Sequence, residues 1–177
     1  MVQAWQPAQS HQGDGHQHAP DRNRPDDGSF AHPDLGTGKQ IFDSANFRIH
    51  YTLQGQHAVA TTDNNGNGTP DYVEQVVNAL ENSRNMSINQ FGWAEPPSDG
   101  NWGGNSLYDV YLEDLAEEGI GGYVDGGYPE AIVGDNPRTP SVVESRSGFS
   151  YMGLDRSYQG DGVSAAEALV DCLLYTS

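Results

Sequence analysis

Residues 63–74 read D-N-N-G-N-G-T-P-D-Y-V-E, and this stretch separates an extended segment from a helix. Oxygen-bearing side chains fall at loop positions one, three, five, nine and twelve, the spacing of an EF-hand calcium loop. Asp63, Asn65 and Asn67 can point inward on alternate residues, and Thr69 offers its main-chain carbonyl. Asp71 closes the ninth position, directly or through water, and Glu74 stands where a bidentate carboxylate completes the shell. Gly68, at position six, permits the sharp turn. Ca²⁺, a hard cation that takes about six to eight oxygens, is the natural occupant, and Mg²⁺ the poorer one. An ordinary polar turn accounts for clustered Asn and Gly on backbone grounds. It does not need Glu74.

Pro70 occupies position eight, where paired EF-hand loops bridge through a backbone N–H that proline lacks, so this loop is expected to work alone. Residues 54–62 carry Gly55, two Thr and no helical period. The ion therefore joins an extended segment to a helix as a structural clip. Three carboxylates and two amides make a modestly charged cage, with a dissociation constant on the order of 10⁻⁵ to 10⁻³ M. Extracellular calcium suits such a site.

Downstream, Thr69 can cap a helix whose first residue is Pro70, with Asp71 and Glu74 placed favourably in the first turn. Val73, Val76, Val77 and Leu80 form one apolar stripe, and the pattern predicts a helix to about Gln90, with Ile88 and Phe91 continuing the buried contacts. Upstream, Phe47, Ile49, Tyr51 and Leu53 alternate with Arg48, His50 and Thr52, the period of a strand buried on one face, with His50 turned to solvent or a neighbour. Tyr108, Val110 and Leu112 predict a second strand, and residues 148–155 a third. Residues 93–105 hold two Trp and several Gly and read as an irregular surface loop. The Gly-rich, aromatic stretch 119–134 reads as an edge hairpin or the rim of a site. Ser164 and Glu167 form a capping box opening a last helix. The elements predict an α+β fold, a small mixed β-sheet with a long helix after the calcium loop.

The 177 residues are long enough for one domain, but 35% hydrophobic content and 22 glycines leave much of it in loops. Residues 1–40, rich in Gln, His, Asp, Pro and Gly, are expected to form a disordered polar leader, and 41–177 the domain. His11, His16 and His18 lie in that leader without a preformed metal geometry. A net charge of −17, from 25 acidic against eight basic residues, disfavours nucleic acid and anionic membranes as partners. Cys172 is the single cysteine, so an intrachain disulfide is excluded. There is no run long enough to span a bilayer, and residues 1–10 lack the basic start and apolar core of a signal peptide. No feature selects an oligomeric state.

The order F-R-I-H-Y (47–51), the loop 63–74, Y-D-V-Y-L-E-D (108–114) and F-S-Y-M-G-L-D (149–155) resembles the N-terminal half of a group of secreted bacterial zinc metallopeptidases. The resemblance covers about residues 42–166, and the loop is its most specific part. It implies an incomplete zincin upper subdomain, an extracellular location and a parent that cleaves polypeptides with Zn²⁺ held by H-E-x-x-H. This chain has no H-E-x-x-H: Glu167 stands where such a helix begins, Ala166 precedes it, and no histidine follows His57. No catalytic residue is assigned. The expectation is a calcium-binding N-terminal fragment, inactive as it stands, whose natural protein continues past a junction near Val170, since residues 172–177 resemble translated adapter sequence. Two other classes remain open. One is a complete calcium-dependent adhesion module using Trp93, Trp102 and the tyrosines of 119–128, and the other an acidic surface or matrix protein.

Overall fold

The computed structural model describes residues 33–126 and 131–157. The fold is α+β. Strands β1 (Lys39–Asp43), β2 (Phe47–Thr52), β3 (Tyr108–Glu113), β4 (Gly122–Gly126) and β7 (Ser150–Asp155) form one five-stranded sheet. Its order is β1-β2-β3-β7-β4. β2 runs parallel to β3 and β3 to β7, while the edge strands β1 and β4 pair antiparallel. A separate two-stranded ribbon joins β5 (Ile132–Gly134) to β6 (Ser147–Gly148). Helix α1 (Asp71–Arg84) carries the chain from β2 back to β3 and continues as a wider π-helical turn, Asn85–Gln90.

The alternation of β2 places Phe47, Ile49 and Tyr51 against α1, whose Val73, Val76, Ala79 and Leu80 recur at helical spacing and are buried. Val110 and Leu112 of β3 and Met152 and Leu154 of β7 complete this core. Each such side chain contributes about 1.5–3 kcal/mol on leaving water. Glu81 ties the solvent side of α1 to the β1–β2 turn, accepting from Ser44 Oγ at 2.7 Å, Asn46 N at 2.9 Å and Asn46 Nδ2 at 2.6 Å. Burial pulls its pKa up, but these hydrogen bonds outweigh that and hold it below its ordinary value. The opposite sheet face buries a second cluster of Leu35, Tyr111, Ala131, Phe149 and Tyr151.

Several expectations change. Pro70 is the cap residue of α1: its ψ of 138° is extended, so the helix begins at Asp71 and Thr69 supplies no side-chain cap. The first helical bond runs from Glu74 N to the Pro70 carbonyl, 3.2 Å. Phe91 is 57% exposed because the π turn carries it off the stripe, and Ile88 is half-buried. The leader boundary at residue 40 falls inside β1, and Leu35 is only 2% exposed. β1 escapes the sequence pattern because an edge strand exposed on nearly every residue has no buried face to alternate. The strand expected at 148–155 is interrupted at Phe149, so that Gly148 pairs with β5 and Ser150 onward with the main sheet. Leu53 lies past the end of β2 and is exposed. The stretch 119–134 gives β4 at the sheet edge and β5 of the ribbon. The capping box at Ser164, Cys172 and the leader histidines lie outside the described residues. Among the described residues no helix is long and apolar enough to cross a membrane.

Candidate functional site

Residues 63–74 follow β2 and run into the first turn of α1, with no helix before them. A hydrogen bond from Asp71 N to the Thr62 carbonyl, 2.8 Å, closes the loop at its base. Asp63 organises the turn from inside. Its Oδ1 accepts from Gly66 N at 2.8 Å and Asn67 N at 3.2 Å, and its Oδ2 from Gly68 N at 2.8 Å. Gly68 has φ +90°, so position six needs glycine, as the loop pattern requires.

Glu74 reaches back from the first turn of α1. Its Oε2 accepts from Asn65 Nδ2 at 2.9 Å and its Oε1 from Asn67 Nδ2 at 2.6 Å. The amide oxygens of the same asparagines accept main-chain N–H groups, Asn65 Oδ1 from Asn67 at 3.0 Å and Asn67 Oδ1 from Thr69 at 2.8 Å. An amide oxygen has two lone pairs, so each retains capacity for a cation. Asn65, Asn67 and Glu74 thus meet one another, and Asp63 holds the backbone beneath them. Thr69 enters the bonding through its N–H. Asp71 is placed differently from the sequence expectation: its carboxylate accepts from Asn64 N at 3.0 Å and from Asn64 Nδ2, fastening the second loop residue.

The donor set fits a hard cation in kind, its two carboxylates and two amides offering oxygen alone. Among the described residues no three His, Cys, Asp or Glu side chains are grouped as a metal site. A cation here depends on Asn65, Asn67 and main-chain oxygen alongside Asp63 and Glu74.

A second polar assembly, which the alternation pattern misses, sits on the sheet face away from α1. Asp109 is 1% exposed, although alternation along β3 assigns it to the outward face. His50 Nε2 lies 2.8 Å from Asp109 Oδ1, and its ring stacks on Tyr111 with centroids 4.3 Å apart and planes 3° from parallel. His50 is therefore covered, at 12% side-chain exposure, rather than turned to solvent. Burial, helped by the Arg48 charge, holds its pKa down to about 4, so it is neutral at neutral pH and its Nε2–H donates to Asp109. Asp99, from the 93–107 loop, neighbours Asp109, and burial together with that carboxyl pushes its own up to about 7. Burial raises Asp109 too.

These contacts seat the loop on the sheet. Arg48 grips Asp43 with two bonds of 2.7 Å and donates to the Gly103 carbonyl at 3.0 Å. Gly103, at φ +68°, lies so close to the Asp109 carboxylate that a Cβ there would collide with it. Trp102 packs on Phe149 with centroids 6.1 Å apart, which makes the assembly a structural staple between loop and sheet. The signal in the sequence is a Gly pair following Trp102 and an aspartate between Tyr108 and Val110, legible only once β3 is known to be covered on both faces.

The other described histidine, His57, accepts from Asp114 N through Nδ1 at 3.0 Å, and it is not paired with His50. Comparison with family models, with curated proteins and with solved structures gave no match to this chain.

Proposed function

We propose that this chain is a calcium-stabilised domain of a secreted zinc metallopeptidase, binding one Ca²⁺ at residues 63–74 and lacking peptidase activity as it stands. The observation that carries the calcium reading is the meeting of Asn65, Asn67 and Glu74 over a loop wound around Asp63. Thr69 and Asp71 complete the set, Thr69 through its carbonyl and Asp71 by way of water. The wider reading rests on the resemblance of residues 42–166, in whose parent protein an H-E-x-x-H helix would bind Zn²⁺ and cleave polypeptide. An extracellular location follows from the same resemblance and from the modest affinity expected of the loop.

Calorimetric titration of the 177-residue chain with Ca²⁺ is the test. One site is expected for wild type, and its loss for Asp63→Ala and Glu74→Gln. At a hundredfold excess of calcium over the dissociation constant, binding adds about 2.7 kcal/mol to wild-type stability and nothing to either variant. Equal uptake by all three would reduce the loop to a turn. Trp93 and Phe91, exposed and 6.2 Å apart, favour a second reading as a calcium-dependent adhesion module. A version of the gene extended past Ala166 separates the two, because the enzyme reading requires H-E-x-x-H there and chelator-sensitive cleavage of unfolded protein.

A further inference from the structure

Where β7 ends, the chain is gripped from both sides of the 63–74 loop. Tyr72, between the loop's ninth and twelfth positions, donates its hydroxyl to the Asp155 carbonyl at 2.5 Å. Ala58, five residues before Asp63, accepts from Arg156 Nη1 at 3.1 Å, and is itself tied to β2 through a bridge to Thr52. The remaining contacts come from the end of β3. Arg156 N donates to the Glu113 carbonyl at 2.6 Å, Leu115 N to Asp155 Oδ2 at 3.3 Å, and Arg156 Nη2 approaches Asp114 Oδ2 at 3.5 Å. The β7 exit thus rests on a residue inside the loop and on one leading into it.

We infer that calcium held by residues 63–74 sets the conformation of the chain leaving β7, with Tyr72 as the coupling residue. This rests on the calcium reading of that loop. Asp63, Asp71 and Glu74 place three negative charges in twelve residues, and without a cation their repulsion opposes the closed loop and the first turn of α1. A bound ion removes that repulsion and fixes Glu74 over the loop. Tyr72 shares the first turn of α1 with Asp71 and Glu74, so a shift of that turn moves its hydroxyl as well. Its hydroxyl then holds Asp155, and the entry segment holds Arg156 through Ala58. Calcium in this arrangement regulates the direction in which the chain leaves β7, beyond adding stability to the domain. Coupling between two sites is reciprocal, so a variant that breaks the link weakens calcium binding by the same factor by which calcium fails to order the exit.

The experiment is amide hydrogen exchange on the full 177-residue chain with and without CaCl₂, alongside calorimetric titration of the same samples. In wild type, calcium slows exchange at Leu115 and Arg156 by about fivefold more than at Phe42 of the far edge strand, the scale of one hydrogen bond. The far strand serves as the measure of global stabilisation. Tyr72→Phe still binds calcium but loses that excess. Should Tyr72→Phe not fold, Arg156→Lys, which gives up the contact to Ala58, carries the same comparison. Calcium binding with equal slowing at both ends of the sheet overturns the coupling and leaves the site intact. Retention of the full excess by the variant overturns the coupling equally. A flat wild-type titration overturns the calcium reading itself, and the coupling with it.

Discussion

Asp99 and His50 face the same buried carboxylate and respond to pH in opposite directions. Asp99 has its folded pKa raised to about 7, above its unfolded value near 4. Its contribution is complete below about pH 4 and is lost as pH rises through about 7. His50 has its folded pKa lowered to about 4, so the unfolded chain binds the extra proton, and stability is lost as pH falls from about 6.5. Between these limits the two effects offset one another. Above about pH 6.5 only the carboxyl pair acts. Denaturant titrations from about pH 6.5 to 8 should show wild type losing stability and Asp99→Asn losing much less of it. Parallel slopes would mean that Asp99 does not share its proton with Asp109.

Among the elements, the 63–74 loop, α1 and the three parallel strands are legible from local pattern, because each carries an apolar stripe toward the shared core or a fixed spacing of turn residues. Elements covered on both sides, or on neither, are hidden. Asp109 and Tyr111 look solvent-facing because alternation assumes an open second face, and here the loop seated by Asp99 and Gly103 closes it. The meeting of Asn65, Asn67 and Glu74 is legible from their spacing. The engagement of Asp71 with Asn64 is not, since Asn64 holds no ligand position in the loop pattern. β1 and Leu35 pass for leader in the sequence because an edge strand needs little hydrophobicity. Leu35 is nevertheless buried with Tyr111, Phe149 and Tyr151, and Thr52 Oγ1 donates to the Thr37 carbonyl at 3.2 Å. Leu35→Ala should therefore cost about 2–3 kcal/mol in a denaturant melt. A change below about 0.5 kcal/mol, the range of an ordinary surface substitution, would return this segment to the leader.

At the scale of the whole molecule, a net charge of −17 spread over 177 residues opposes compaction. Raising monovalent salt from about 0.01 to 0.15 M shortens the screening length from about 30 to 8 Å, and should raise the melting temperature of the calcium-free protein. The same salt should weaken calcium binding, since Asp63 and Glu74 lose part of their attraction for the cation. Opposite movements of melting temperature and affinity, read by scanning and titration calorimetry in one salt series, separate general repulsion from the specific site. Movement of both in the same direction would place calcium in a diffuse acidic atmosphere.

The strand order carries a consequence for synthesis. β7, last of the described strands in the chain, inserts between β3 and β4, and β4 pairs with nothing else in the main sheet. A nascent chain that has emerged as far as Gly126 can close β1, β2, α1 and β3 around one core, but it presents the far edge of β3 as a row of unpaired backbone groups, with β4 hanging beside it. Such an edge is a template for pairing with another chain. The domain's period of greatest exposure to misassembly on the ribosome is therefore the interval in which residues 127–155 are still being made, and it ends when one six-residue strand slides into the gap.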